Sequence, residues 1–162
     1  MELKNEIIEK LSQAFPSAVI TYEEFREELT LRLEAARLLA VLKFLKEDEG
    51  LKFEMCEDVT AIDEARKKNR FTAVYHIYSF KHNFRLRVKS NVDDASCSID
   101  SVTTIYRSAE WYERETYDMF GIKFNNHPDL RRMYMPEEFE YYPLRKEFPV
   151  LGIPGSLSLP KK

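Results

Sequence analysis

The sequence contains little cysteine and little glycine, and each shortage excludes a kind of site. Its two cysteines, Cys56 and Cys97, lie 41 positions apart, and neither belongs to a CxxC pair. Iron–sulfur clusters and structural zinc need about four ligands, mostly from closely spaced Cys and His residues. The four glycines form no GxGxxG motif or phosphate-binding loop. We therefore expect no cofactor or metal on this chain.

Long apolar runs and an excess of basic residues are also missing. The longest apolar run, residues 35–45, is interrupted by Arg37 and Lys43 and falls well short of the roughly 20 residues that a membrane span needs. Acidic residues among the apolar positions of the N-terminus argue against a secretory signal. A net charge of −3 argues against a general nucleic-acid binder. We expect no nucleic-acid partner and no direct membrane span.

The composition and the hydrophobic periodicity predict an α+β protein. A content of 44% hydrophobic and 33% charged residues is typical of a globular protein. The pattern gives the order helix, strand, helix, three strands, helix and arm. The strands over 71–80 and 84–89 are joined by the short turn 81–83, so we predict an antiparallel or mixed sheet of about four strands with helices packed on it.

Four details of this pattern are specific enough to test. The first helix ends at Pro16, and residues 25–33 form a single half-buried strand. Gly50 ends the second helix, whose buried face carries Ala36, Leu39, Leu42 and Leu45. The last helix starts near Asp100 or Ser101, either of which can cap it. The residues expected on its buried face are Ile105, Ala109, Tyr112, Thr116 and Met119.

The chain after Gly121 is punctuated by prolines and rich in aromatic residues. Prolines fix φ and remove a backbone donor, so no simple helix or strand can hold this stretch. Disordered tails are poor in aromatic residues, which indicates an arm that lies on its own domain or on another subunit. We predict a globular α+β domain over residues 1–124 and an extended, proline-rich docking arm over residues 125–162, called the C-terminal arm below.

The last helix carries a dense cluster of charges. Arg114 lies at i,i+4 spacing from both Glu110 and Asp118, so the two acids can clamp it. Exposed pairs of this kind add only about 0.3–0.5 kcal/mol each, which is little reason for so dense a cluster. We therefore predict that the face formed by residues 113–115 is buried at a joint and anchors the C-terminal arm. The arm residues predicted to take part are Arg131, Arg132 and Arg145.

Acids close to a histidine also allow a hydrolytic or metal site. Its members would be Glu113, Glu115 and His127, with Asp118 nearby. His127, however, lies beyond the predicted helix and precedes Pro128, which pushes its backbone to an extended conformation. A structural hydrogen-bonding role for His127 is the favoured interpretation.

The same stretch resembles the signature of a known family. The residues that carry the resemblance are Glu113-Arg114-Glu115, Asp118 followed by Met119-Phe120, His127, Arg131, Met133 and Tyr134. Together with the segments 58–63, 127–132 and 143–146, they resemble the C subunit, also called the 30-kDa subunit, of the proton-pumping NADH:quinone oxidoreductase, respiratory complex I. The likeness spans roughly residues 29–149. Asn126 and Tyr141 stand where a glycine is common in the family.

The resemblance implies a cofactor-free docking subunit in the peripheral arm of that complex, with no catalytic residue of its own. The complex moves electrons from NADH to quinone and pumps protons, and its FMN and iron–sulfur clusters are expected on partner subunits. The implied partners are a D-like subunit and the iron–sulfur subunits, on the cytoplasmic side of the inner membrane. The family signature and docking residues are Glu113, Arg114, Glu115, Asp118, His127, Arg131, Arg132 and Arg145.

Two alternatives stay open at this point. The first is the same module in a membrane-bound hydrogenase or a ferredoxin-driven complex, because the difference would lie in other subunits. The second is a free-standing metal-dependent hydrolase that uses Glu113, Glu115 and His127.

Overall fold

The computed structural model describes residues 2–18, 20–65 and 68–153. Its elements are three helices and seven strands, together with a short 3₁₀ turn at Ala35–Arg37. In chain order they are α1 (Glu2–Ala14), β1 (Thr21–Phe25), β2 (Glu28–Leu33), α2 (Leu38–Glu47), β3 (Met55–Asp63), β4 (Phe71–Ser79), β5 (Phe84–Asn91), β6 (Ser98–Asp100), α3 (Ala109–Phe120) and β7 (Lys123–Asn125). No helix in this described part is long and apolar enough to cross a bilayer.

Five strands form one mixed sheet in the order β1-β2-β5-β4-β3. Neighbouring strands are antiparallel except β2 and β5, which run parallel. The predicted α+β class is therefore confirmed, with one more strand in the main sheet than expected. A second, two-stranded sheet pairs β6 with β7 in parallel.

The hydrophobic core lies between one face of the main sheet and the helices. Strand β5 shows that only one face of the sheet contacts the core. Leu86 and Val88 are fully buried, whereas Arg85, Arg87 and Lys89 alternate with them on the other face. Helix α1 adds Ile7 and Leu11 to the same core, as its spacing predicts. Burial of apolar area at about 25 cal/mol per Å² is the main force that holds these layers together.

The strand predicted over residues 25–33 is correct only from Glu28 onward, where β2 buries Leu29, Leu31 and Leu33. Phe25 instead ends a separate strand, β1, which pairs antiparallel with β2 through a turn at Arg26 and Glu27. Both turn residues adopt left-handed backbone conformations, with φ of 49° and 68°, which is the geometry of a two-residue hairpin. Such turns favour Gly and Asn, so the sequence lacked the usual signal. As a result Phe25, predicted to lie on the apolar face of that strand, is 69% exposed.

The second helix is shifted against its prediction. It ends at Glu47 instead of continuing to Gly50, because Asp48 turns to an extended conformation and its carboxylate accepts the N–H groups of Gly50 and Leu51. A side chain rather than a glycine thus ends the helix. Its buried residues are Leu38, Val41, Leu42 and Leu45. The predicted Leu39 is partly buried against the core, whereas Ala36 is exposed and was wrong as a core position.

The last helix starts at Ala109, nine residues after Asp100 and eight after Ser101, the two predicted starts. Asp100 ends the short strand β6, and Ser101 begins a series of turns instead of capping a helix. The predicted face is correct for Ala109 and Thr116, whereas Tyr112 and Met119 are only half-buried. The remaining buried positions are Phe120 and three charged residues, Glu113, Arg114 and Asp118.

The C-terminal arm contains no helix or strand between residues 126 and 153. Asn126, which stands where the family commonly has glycine, adopts a φ of 62°, and asparagine tolerates this left-handed region better than most residues. Phe139 is buried, so the described part of the arm has some apolar anchoring. Residues 154–162 of the predicted arm lie outside the described part, and the division at residue 124 stays a prediction.

Candidate anchoring site of the C-terminal arm

Asp118 holds the arm through four hydrogen bonds. Its Oδ2 accepts the backbone N–H groups of Met133, Tyr134 and Met135, at 3.0, 2.7 and 2.9 Å. Its Oδ1 accepts a charge-assisted bond from Arg132 Nη1 at 2.6 Å. Three successive N–H groups that point at one oxygen form a nest for an anion. A single carboxylate of α3 therefore fixes the path of four consecutive arm residues.

The Asp118 carboxylate has no solvent exposure. Burial by itself would raise the pKa of Asp118, but the backbone N–H groups and Arg132 outweigh it and lower the pKa below its ordinary value. Hydrogen bonds to the charged form of an acid always act in this direction. The carboxylate is therefore ionised throughout the physiological pH range.

Arg114 is a second anchor, but its contacts differ from the prediction. Its guanidinium donates to the backbone carbonyl groups of Arg131 and Arg132, at 3.2 and 3.3 Å, and stacks on the ring of Trp111 at 4.7 Å. The predicted clamp between Glu110 and Asp118 is wrong. Asp118 cannot serve in it because its oxygens are occupied by the arm. The predicted burial of Arg114 at a joint with the arm does hold, since its exposed fraction is 5%.

A third anchor lies at the end of α3, where Gly121 caps the helix with a φ of 75°. Arg145 Nε donates to the carbonyl of Phe120 at 2.6 Å, and its guanidinium stacks on Tyr142 at 4.4 Å. A Cβ at Gly121 would come within 2.6 Å of both the Tyr142 ring and Arg145. Glycine is therefore required here twice, by the left-handed conformation and by the closeness of the arm.

A fourth anchor joins the arm to the end of β3. Asp63 accepts two bonds from Arg70, at 3.0 and 2.8 Å, and a further one from the backbone N–H of Lys146 at 2.9 Å. Arg70 also pairs with Glu147 of the arm. Hydrogen bonding from Arg70, opposed by burial, lowers the pKa of Asp63 far below its ordinary value. The Asp63–Arg70 pair thus links the β3–β4 connection to Lys146 and Glu147 of the arm.

Glu113 and His127 form a buried polar pair beside these anchors. Glu113 accepts bonds from Ser101 Oγ at 2.6 Å and from the Val102 N–H at 2.7 Å. His127 Nδ1 accepts the Asp129 N–H, so its Nε2 carries the proton and donates to the Glu110 carbonyl at 3.0 Å. Burial raises the pKa of Glu113 to about 7, although both hydrogen bonds act against it.

The geometry argues against a hydrolytic site at Glu113, Glu115 and His127. Glu113 and His127 lie 3.9 Å apart, but neither side chain has any solvent exposure, so a substrate could not reach them. The carboxylate of Glu115 has no hydrogen-bond or ion-pair partner among the described residues. No group of three or more His, Cys, Asp or Glu residues in the described ranges could hold a metal ion.

Of the eight predicted site residues, the structure brings five onto the joint between α3 and the arm: Arg114, Asp118, His127, Arg132 and Arg145. Glu113 binds the turn before α3 and only approaches His127. Arg131 is exposed and pairs with Asp129 of the arm itself. Glu115 is half-buried outside the joint.

Sequence reasoning missed Asp63, Arg70, Gly121 and Tyr142 as members of this joint. For Gly121 a signal was present, since a glycine at a helix end favours the left-handed conformation. No local pattern could reveal the others, because Asp63 and Lys146 lie 83 positions apart and meet only in the folded chain.

Comparison with known proteins shows the family of the chain. The family model described as "Respiratory-chain NADH dehydrogenase, 30 Kd subunit" matches residues 31–153. The C subunit of the NADH-quinone oxidoreductase of Geobacter sulfurreducens is 42% identical over 153 residues, which cover 94% of this chain and 93% of that protein. Its counterpart in Paramagnetospirillum magneticum is 43% identical over 145 residues, which cover 89% of this chain and 72% of that protein.

Two solved structures share the fold. A trypsin-resistant fragment of Nqo5 superposes with a TM-score of 0.67 at 26% identity, covering 80% of this chain and all of the fragment. A chain of the membrane-bound sulfane sulfur reductase, an archaeal respiratory membrane complex, gives a TM-score of 0.72 at 27% identity. That match covers 91% of this chain and 86% of the other.

Proposed function

Since the chain belongs to the 30 Kd subunit family of the respiratory-chain NADH dehydrogenase, we propose that it acts as a docking subunit in the peripheral arm of such a complex. In this role it packs beside a D-like subunit and supports electron transfer from NADH to quinone, coupled to proton translocation. The FMN and the iron–sulfur clusters belong to partner subunits, including the iron–sulfur subunits next to this chain. The assembly holds it peripherally on the cytoplasmic side of the inner membrane.

One observation supports this proposal: the signature residues bind the C-terminal arm. Asp118, Arg132 and Arg114 direct their charges and hydrogen bonds to fixing the arm on α3, rather than to lining an open pocket. Fixing a long, irregular segment before assembly reduces the entropy that is lost when it binds a partner. The subunit therefore contributes preorganisation: it presents the arm in one shape and so keeps its neighbours in register at the quinone end.

The experiment that tests the proposal compares the full chain with a variant that lacks residues 126–162. Tagged copies are expressed in the native host, and the complex is purified from detergent-solubilised membranes for mass spectrometry. We expect the full chain to bring down a D-like subunit and iron–sulfur subunits, and the shortened chain to fold without assembling. The trypsin resistance of the Nqo5 fragment makes an independently folded domain reasonable. An active complex assembled around the shortened chain would refute the docking role.

A second candidate function is favoured by the likeness to the sulfane sulfur reductase chain. The same module then serves in a respiratory membrane complex with another electron donor or acceptor, such as a membrane-bound hydrogenase or a ferredoxin-driven complex. The docking role is unchanged, and only the partners differ. The subunits that co-purify, and whether the purified complex oxidises NADH, distinguish the two candidates.

A further inference from the structure

Between residues 134 and 141 the outward face of the C-terminal arm is acidic, whereas two arginines of the arm turn inward. Arg132 and Arg145 turn inward, to Asp118 and to the Phe120 carbonyl. The exposed charges between residues 134 and 141 are all acidic, and they are Glu137, Glu138 and Glu140. Within the described ranges, none of these three carboxylates has a hydrogen-bond or ion-pair partner. Arg131, Arg132 and Arg145 of the arm are engaged within the chain, whereas the side chain of Lys146 is exposed. Glu137, Glu138 and Glu140 are left available to another molecule.

Three of the four exposed acids of the β1–β2 hairpin are paired within the domain. Glu23 lies 3.6 Å from Arg32 and Glu24 lies 2.6 Å from Lys4, while Glu28 pairs with Arg87. Their charges are thus largely offset within the domain. Glu27 of the hairpin is exposed and has no partner in the described ranges, but it is a single charge, whereas the arm places three unpaired carboxylates within four residues. This concentration of negative charge makes the arm a surface that would attract a basic partner.

A cavity next to these acids has the lining that a basic side chain needs. Its volume is about 350 Å³, and Glu140 and Glu147 line it together with Tyr141, Tyr142 and Phe148. Arg145 also lines the cavity, but its guanidinium is engaged by the Phe120 carbonyl and the Tyr142 ring. Lysine and arginine combine an apolar stem with a cationic end. Aromatic walls suit the stem. Glu140 is the carboxylate that suits the charge, because Glu147 is already paired with Arg70.

Other occupants fit these observations less well. The acids do not form a metal site, since no group of three or more His, Cys, Asp or Glu in the described residues could hold a metal ion. Nucleic acids and anionic lipid headgroups carry negative charge and would be repelled by Glu137, Glu138 and Glu140. Exposed tyrosines, Tyr134 at 58% and Tyr141 at 39%, are common among residues at the centre of protein–protein contacts.

We propose that Glu137, Glu138, Glu140 and Tyr141, called the acidic arm face, dock on a lysine- and arginine-bearing surface of a neighbouring subunit, and that one basic side chain of that subunit enters the cavity beside Glu140. This inference rests on the proposed docking function and names the chemistry of the partner. Opposite charges across an interface act mainly on the rate of association and on the choice of partner.

The test reverses the charge of the acidic arm face in the full chain with the triple variant Glu137→Lys, Glu138→Lys and Glu140→Lys. The matched control is Glu2→Lys, Glu27→Lys and Glu34→Lys, which changes the net charge equally at exposed positions elsewhere. We expect the arm variant to recover about tenfold less of the partner subunits from solubilised membranes. The control should recover as much as the wild type, and circular dichroism should show that both variants fold.

Two further measurements separate the possible outcomes. Recovery with the wild type should fall as sodium chloride rises from about 50 to about 500 mM, because salt screens charge pairs. Full recovery with the arm variant would overturn the inference, and if the chain shortened at residue 125 also assembled, the docking function would fail with it. Light scattering of the isolated wild-type chain checks for self-association: a salt-sensitive dimer that the arm variant abolishes would assign the face to a second copy and overturn the inference.

Discussion

Beneath the main sheet, apolar side chains from three helices pack together, whereas residues 126–153 reach the domain mainly through hydrogen bonds and ion pairs. Core residues such as Leu42 and Leu86 are fully buried and make non-directional contacts. The arm instead depends on single groups of fixed geometry, above all the Asp118 carboxylate with its four donors. Packing tolerates exchanges of similar volume, but an anchor of this kind fails when one charge is removed.

This difference implies that the two regions can be separated by mutation. A change in the core should destabilise the domain, and the arm with it. A change at an anchor should release the arm while the domain stays folded. The following variants test this division, and their expected effects decrease in the order given.

Truncation of a core residue should have the largest effect. Leu86 is fully buried in β5, so Leu86→Ala should lower the free energy of unfolding by about 2–5 kcal/mol through lost burial and a new cavity. Urea denaturation followed by circular dichroism measures this. The control is Leu144→Ala in the arm, where the side chain is 53% exposed and the change should stay within about 0.5 kcal/mol. Equal effects would mean that the arm is part of the core.

Removal of the Asp118 charge should release the arm. Asp118→Asn leaves Arg132, whose side chain is 10% exposed, without its counter-charge, which should weaken attachment of the arm by about 3 kcal/mol. The measurement is limited trypsin digestion with mass spectrometry, where cleavage after Arg131 and Arg132 should become much faster. Asp129→Asn removes an exposed pair with Arg131 and should matter little. Unchanged cleavage in Asp118→Asn would show that other contacts hold the arm.

Glu113 should make the stability depend on pH in a defined direction. Its pKa is raised from 4.5 to about 7 in the folded chain, so the folded state binds the proton more tightly than the unfolded state. The contribution of protonated Glu113 is complete below about pH 4.5 and is lost as the pH rises to about 7. The total loss is roughly 3 kcal/mol at about 1.4 kcal/mol per pH unit.

The contribution of Glu113 is the difference in unfolding free energy between the wild type and the variant Glu113→Gln, which cannot ionise. Its amide can accept from the Val102 N–H and donate to Ser101 Oγ, so the local hydrogen bonds survive. Urea denaturation at about pH 4.5, 6 and 7.5 should show the wild type losing stability relative to the variant as the pH rises. Glu115→Gln, at a half-buried position outside the joint, is the control and should follow the wild type. Parallel curves for the wild type and Glu113→Gln would contradict the prediction.

Replacing Gly121 by alanine should destabilise the protein more than the same replacement at Gly152, which has the same backbone conformation. Gly121 and Gly152 have φ of 75° and 74°, but only at Gly121 would a Cβ meet the arm. Left-handed strain alone costs about 1 kcal/mol, so Gly152→Ala measures that strain without contacts. Gly121→Ala should cost about 1–2 kcal/mol more, because Tyr142 and Arg145 must move. Thermal unfolding and trypsin digestion report both effects, and identical behaviour of the two variants would argue against close packing of the arm on Gly121.

Several parts of this protein were determined by the sequence alone. The spacing of Ile7 and Leu11 placed α1, and the alternation around Leu86 and Val88 placed β5, because helices and strands impose their own periods on buried positions. The shortage of cysteine and glycine argued against a cluster or nucleotide site. The signature around Asp118 identified the family, and the density of charge on α3 indicated a buried joint.

Tertiary structure alone decided how the joint is made. Arg114 could reach Asp118 within the helix, but the nest of Met133, Tyr134 and Met135 occupies that carboxylate and leaves Arg114 to the arm carbonyls. Asp63 and Lys146 are likewise distant in sequence and adjacent in space. The hairpin at Arg26 and Glu27 was hidden for a related reason, since its left-handed residues are held by strand pairing rather than by their own preference. Periodicity reports which face of an element is buried, whereas the partner of a polar group depends on what the folded chain brings within hydrogen-bonding distance.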